Sequence, residues 1–148
     1  MTAPLKIGVA GLGTVGASLI RLVDEQRDML AERCQQRIEV TAVCARSKSK
    51  KRGVNISKMK WHVDPVALAC DPNIDVFVEL IGGEGNPAKA AIETALANGK
   101  SVVTANKALL ARHGVALAGQ HAFEGRIAET GKRQIALPTR NSAETGQR

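Results

Sequence analysis

Residues 11–16, Gly11-Leu12-Gly13-Thr14-Val15-Gly16, set three glycines at the spacing GxGxxG. An apolar run, residues 5–10, precedes them. Apolar residues at Val15, Leu19, Leu22, Val23 and Leu30 follow at helical spacing. A strand, a glycine turn and a helix in that order make a cradle for a diphosphate. Gly11 permits the tight turn, Gly13 leaves the backbone open to the ligand, and Gly16 lets helix and strand pack closely. The first amides of the helix, with their partial positive charge, would then face phosphate oxygens. Leu12, Thr14 and Val15 complete the expected cofactor-binding turn. A glycine turn without a ligand is the competing reading, and the flanking strand and helix weigh against it.

A second candidate lies at the end of the next apolar segment, residues 38–45. A site for NAD usually places Asp or Glu there, against the adenine ribose hydroxyls. This chain has no acidic residue between Thr41 and Val63 and offers Arg46, Ser47, Lys48, Lys50, Lys51 and Arg52 instead. A guanidinium pairs with a phosphate through two charge-assisted hydrogen bonds. The pattern predicts NADP as the cofactor, with NAD the alternative. Arg46 is the first candidate for the phosphate and Arg52 the second. A solvated basic loop would look the same in sequence.

Two further groups sit where strands should end. Glu79-Leu80-Ile81-Gly82-Gly83 closes a third apolar segment, and Gly82 and Gly83 would let a nicotinamide lie against backbone. Glu79, inside a strand, reads as a buried acid that needs a partner. Thr104-Ala105-Asn106-Lys107 closes a fourth segment, placing Thr104 and Lys107 where cofactor and substrate would meet. Lys107 could orient a carboxylate, hydrogen-bond the cofactor or assist proton transfer. Taken alone, a lysine in this place is more often a surface residue at a helix start.

These candidates require strands with helices between them. The pattern predicts strands at 5–10, 38–45, 75–81 and 101–105. It predicts helices at 14–33, from Asp64-Pro65, at 87–98 and from Lys107, with 46–60 a loop and Gly114 an interruption. That alternation predicts a doubly wound parallel α/β sheet of the Rossmann-like kind. With one Trp, two Phe and no Tyr, the core must be built from Val, Leu, Ile and Ala, which suits buried parallel strands. Composition changes after residue 118. Residues 119–148 are poor in apolar groups, apart from Ile135-Ala136-Leu137, and are expected to be a weakly ordered tail beyond a domain at 1–118.

Other classes are disfavoured. The net charge of +7 arises from residues 46–60, where Arg46, Lys48, Lys50, Lys51, Arg52, Lys58 and Lys60 occur without an acid. Such a patch fits a small polyanion, and stacking aromatics for nucleic acid are nearly absent. No stretch reaches the ~18 apolar residues of a membrane span. Cys34, Cys44 and Cys70 are odd in number and lack CxxC spacing, which predicts reduced thiols in a cytoplasmic protein. His62, His113 and His121 show no ligand spacing, so no metal site is expected.

The set GLGTVG, VFVELIGG, NPA and GKSVVTANKALLARHG, in this order, resembles homoserine dehydrogenase over roughly residues 4–118. The glycine motif is widely shared; ELIGG and VVTANKALLA are far more particular. The resemblance implies an NAD(P)-dependent enzyme interconverting aspartate semialdehyde and homoserine, on the route to threonine and methionine. It implies that Lys107, the lysine of TANK, lies at the cofactor and active site. In that family a further region supplies the substrate-binding acids, a second catalytic lysine, a monovalent-cation site and the interface for homo-oligomerisation. Nothing here matches its EAAVAGGIP-like stretch. The expectation is therefore a cofactor-binding part with little turnover of its own; a non-catalytic NAD(P)-binding module or inactive fragment is the alternative. The abrupt change after residue 118 is of the kind a shifted reading frame or a fusion produces.

Overall fold

The computed structural model describes residues 2–120 and 127–129 of the chain. The element order is β1 (Leu5–Ala10), α1 (Thr14–Glu25), α2 (Arg27–Cys34), β2 (Ile38–Cys44), β3 (Lys60–His62), α3 (Pro65–Ala69), β4 (Val76–Glu79), α4 (Ala88–Ala97), β5 (Ser101–Thr104), α5 (Lys107–Gln120) and β6 (Ile127–Glu129). The strands form one sheet in the order β3-β2-β1-β4-β5-β6. Every neighbouring pair is parallel. This is the doubly wound, Rossmann-like α/β architecture expected from the sequence.

Alternation along each strand divides the core between the two sheet faces. Val9, Val43 and Val78 point to one face and pack with Leu12 and Ile20 of the first glycine turn and α1. Residues of the basic stretch close over this face too, through Val54, Ile56 and Met59, with Trp61 of β3 beside them. Ala10, Ala42, Cys44, Phe77 and Val102 point to the other face, against Leu68 of α3, Ala91, Ile92 and Ala95 of α4, and Leu109 and Leu117 of α5. Small residues dominate this second layer, so the helices can approach the sheet closely. Gly8 shows how tight the approach is: a β-carbon there would stand 2.7 Å from the Ile74 side chain and 3.0 Å from that of Leu68.

The elements depart from the sequence reading in four places. The helix expected over residues 14–33 breaks at Gln26 into α1 and α2. Residues 24–28 are all polar, and α2 buries none of its residues, so no packing holds the two segments in line. At the end of the stretch read as a loop, residues 46–60, Lys60–His62 pairs with β2 and becomes an edge strand; three residues are too few to show a period. Gly114 does not interrupt α5, which is anchored on both sides of it by the buried Leu109 and Leu117. Finally, the expected boundary at residue 118 falls inside α5, and Ile127–Glu129 adds a strand to β5. The free edge of β5 supplies that ladder, which local composition cannot reveal. The cluster Ile135-Ala136-Leu137 and His121 lie outside the described residues.

Asp64 opens α3 as predicted. Its carboxylate accepts hydrogen bonds from the Val66 and Ala67 amides at 3.3 and 3.1 Å, and Pro65 occupies the first turn. No helix among the described residues is long and apolar enough to cross a membrane.

Candidate dinucleotide site

The helix following β1 lies on one sheet face, and the helix preceding β4 lies on the other. The chain therefore reverses its winding between β1 and β4, and a crevice opens at their carboxyl ends. The backbone following β1 meets the backbone following β4 directly. The Leu80 amide donates to the Ala10 carbonyl at 2.8 Å, and the Gly11 amide donates to Cys44 of β2 at 2.8 Å. Gly11 has φ +99°, and a β-carbon on it would stand 2.5 Å from the Leu80 carbonyl oxygen. A side chain on Gly16 would lie 2.0 Å from the Gly11 oxygen. Both glycines are thus required by contacts within the protein.

Gly13 is different. Nothing lies within 4 Å of a β-carbon built on it. It is the N-cap of α1, no side chain caps that helix, and no acidic residue occupies the first turn. The helix starts with unserved amides and an open approach, which is the arrangement a phosphate group fits. Leu12 is buried beneath the turn, whereas Val15 is 61% exposed. A Gly13→Ala variant is expected to keep the native unfolding midpoint while weakening dinucleotide binding at least tenfold, by filling the approach. Unchanged binding in a calorimetric titration would show that no ligand comes close to Gly13.

The two arginines singled out from sequence play different parts. Arg52 donates from Nε to the Leu12 carbonyl at 3.1 Å, from Nη1 to Lys50 at 2.8 Å and from Nη2 to the Ser47 carbonyl. Its guanidinium also lies 6.0 Å from the Trp61 ring centre. Nε thus fastens the basic loop to the glycine turn, and the two Nη atoms hold the loop to itself. Arg46, two residues beyond β2, is exposed and makes no side-chain hydrogen bond or ion pair with the described residues.

The carboxyl ends of β4 and β5 are joined by a polar network. Glu79 and Thr104 are register partners, both fully buried. Glu79 Oε1 accepts from the Ile81 and Gly82 amides at 2.7 and 3.1 Å, and Oε2 accepts from the Thr104 hydroxyl at 2.6 Å. Thr104 Oγ1 accepts in turn from the Asn106 amide at 3.0 Å. The buried acid noted in the sequence thus finds donors rather than a cation. Thr104, expected at the cofactor, lies below the surface of the crevice with its hydroxyl committed. Gly82 and Gly83 have φ +83° and +86° with open space around them. Lys107 is exposed at the first turn of α5, beyond β5.

Sequence reasoning missed Asn106. Its Oδ1 caps α5 by accepting from the Leu109 amide at 3.1 Å, and its Nδ2 donates to the Gly83 carbonyl at 2.6 Å. An Asn three residues before an apolar position is a cap signal that could have been read; its bond to Gly83 could not. Also missed was a cluster on the α3 side of β3. Asp71 Oδ2 lies 2.7 Å from His62 Nε2 and 3.1 Å from Lys60 Nζ, and Oδ1 accepts from the Asn73 amide at 2.9 Å. Burial alone would raise the Asp71 carboxyl, but the Asn73 amide, His62 and Lys60 outweigh it and hold it at about 2. Cys34, Cys44 and Cys70 are all free thiols. Burial, with Asp64 nearby, pushes the Cys44 thiol up to about 11, so it is inert at neutral pH. A cavity lined by Cys70, Ile74, Asp75, Asn98 and Lys100 lies at the amino ends of β4 and β5, away from the glycine turn.

Comparison with known proteins agrees with this geometry. Residues 11–128 match the family model described as homoserine dehydrogenase, NAD binding domain. The match runs past residue 118, the end of the resemblance expected from the sequence. Homoserine dehydrogenase of Pseudomonas aeruginosa is 41% identical over 111 residues, covering 75% of this chain and 25% of that protein. The enzyme of Corynebacterium glutamicum is 40% identical over 112 residues, covering 76% and 25%. Among solved structures, S. aureus homoserine dehydrogenase at pH 7.0 superposes with a TM-score of 0.77 at 34% identity, covering 87% of this chain and 33% of that one. The chain thus spans about a quarter of the length of the curated relatives it matches. Over residues 11–128 the chain belongs to the homoserine dehydrogenase NAD-binding domain family.

Proposed function

We propose that this chain binds NADP(H) as the cofactor-holding part of a homoserine dehydrogenase. The observation that carries the reading is the uncapped start of α1 behind the turn at residues 11–16, with open space at Gly13 and the Leu80 backbone packed against Gly11. In this reading the diphosphate rests on the first amides of α1, and the nicotinamide half reaches the side-chain-free backbone of Gly82 and Gly83. Arg46 takes the 2′-phosphate, because it is the exposed arginine next to β2 whose guanidinium is not already engaged. Arg52 acts one step back, holding the loop that presents Arg46.

When bound, the nicotinamide supplies hydride to a carbonyl carbon. Lys107, exposed beyond β5, is the residue placed to orient a carboxylate or hold a proton beside that carbonyl. The substrate pair proposed is homoserine and aspartate semialdehyde, in a cytoplasmic setting and on the route to threonine and methionine. Substrate-binding acids and a subunit interface would come from the part of the family's fold that this chain does not match. Binding of NADPH with little homoserine oxidation is the behaviour expected of the chain alone.

Titration of the chain with NADPH and NADH, followed by nicotinamide fluorescence, tests the reading. NADPH should bind at least tenfold more tightly than NADH. Arg46→Asp should remove most of that difference, chiefly by weakening NADPH, because a charge-assisted pair to phosphate is lost and a repulsive carboxylate gained. Equal affinity for both nucleotides in the native chain would remove the NADP assignment. Binding of neither would remove the cofactor assignment itself.

A further inference from the structure

We infer that Glu79 is a positioning residue for the nicotinamide half of the cofactor, acting through Thr104 and Asn106; the inference rests on the cofactor reading above. One buried carboxylate holds two backbone amides and one hydroxyl at once. Its Oε1 holds the Ile81 and Gly82 amides, at 2.7 and 3.1 Å, and so fixes how the chain leaves β4. Its Oε2 holds the Thr104 hydroxyl at 2.6 Å, which orients that hydroxyl to accept the Asn106 amide at 3.0 Å. Asn106 then closes the circuit by donating from Nδ2 to the Gly83 carbonyl at 2.6 Å while its Oδ1 caps the helix that begins at Lys107. The backbone after β4 and the start of α5 are therefore locked to each other.

The chemistry of the circuit argues for a role beyond stability. Glu79 and Thr104 are fully buried, and no basic side chain pairs with Glu79 among the described residues. An apolar pair at these register positions would join the strands without the cost of burying a carboxylate. What an apolar pair could not do is hold amides. Gly82 and Gly83 have no side chains and positive φ, so only hydrogen bonds can fix their course. Glutamine would not replace glutamate. Its amide would donate toward Thr104, whose oxygen already accepts from Asn106, and the hydroxyl hydrogen would lose its acceptor.

Two ligands applied to the full chain separate this role from a general structural one: NADPH, and 2′-phospho-ADP-ribose, which lacks the nicotinamide. Thr104→Val removes the hydroxyl at constant shape, and Thr104→Ser retains it. Asn106→Asp keeps the cap on α5 and removes the donor to Gly83. Thr104→Val and Asn106→Asp are expected to weaken NADPH about tenfold, the cost of an unmade buried hydrogen bond. They should leave 2′-phospho-ADP-ribose within about twofold of native. Bound NADPH should also lose part of its nicotinamide fluorescence enhancement, and Thr104→Ser should restore both readouts. If the two ligands weaken together, or neither weakens, in variants that fold, the positioning role is wrong. Should Thr104→Val not fold, Asn106→Asp decides the matter, since its helix cap survives. Failure of the native chain to bind either ligand overturns the cofactor reading, and this inference with it.

Discussion

Gly11→Ala is expected to lower the unfolding free energy by about 3 kcal/mol or more and to reduce dinucleotide binding by at least a hundredfold. Two costs act together. At φ +99° an alanine is forced into backbone that L side chains rarely adopt, at about 1–2 kcal/mol. Its β-carbon would also stand 2.5 Å from the Leu80 carbonyl oxygen, which belongs to backbone and cannot swing aside. The contact can be relieved only by parting the ends of β1 and β4, the two strands whose separation shapes the crevice. Stability and binding should therefore fall together here, whereas Gly13→Ala should affect binding alone. Urea denaturation and a fluorescence titration on the same samples would show the contrast. A Gly11→Ala protein within 1 kcal/mol of native would mean that the close approach to Leu80 is not maintained in solution.

The second large effect concerns acid. Asp71, with its side chain 1% exposed, is held at about 2 against an ordinary 3.8. A carboxylate depressed on folding contributes stability that is present in full above the unfolded value. That stability is lost as pH falls through the folded one. Between pH 4 and pH 2 the chain should accordingly lose about 2 kcal/mol from this group. The part due to Lys60 is weakened by salt, because that side chain is 59% exposed. Asp71→Asn should cost about 2–4 kcal/mol at neutral pH. It leaves the Asn73 contact possible but turns an amide donor toward His62 and Lys60. The difference between variant and native should shrink as pH drops toward 2. A constant difference across that range in denaturation measurements would remove Asp71 as the source of the acid sensitivity.

Much of the molecule was legible from residue types and spacing. The turn at residues 11–16 could be read because its glycines are demanded locally, one by a turn and one by helix–strand contact, and both demands hold in the structure. The four longer strands and the Asp64 cap were legible for a similar reason: burial on both faces and capping each leave a pattern within a few residues. Lys107 was placed beyond β5 by the apolar run before it.

What escaped has a common cause. β3 and β6 are three residues each and exist because a neighbouring strand offers unpaired backbone, a property of the neighbour and not of their own residues. Arg46 and Arg52 are chemically the same; their order along the chain ranked them for the phosphate but did not reveal that Arg52 is spent on the Leu12 carbonyl while Arg46 remains exposed. Glu79 could be recognised as a buried acid, but its partner Thr104 stands 25 residues away and meets it only across the β4–β5 ladder. Residue order thus determined the doubly wound sheet, the glycine turn and the basic stretch beside it. Those follow from steric and solvation preferences acting over a few neighbours. Tertiary contact alone decided which polar groups are satisfied and which are left for a ligand, because hydrogen-bond partners distant in sequence are chosen only when strands pair and helices dock.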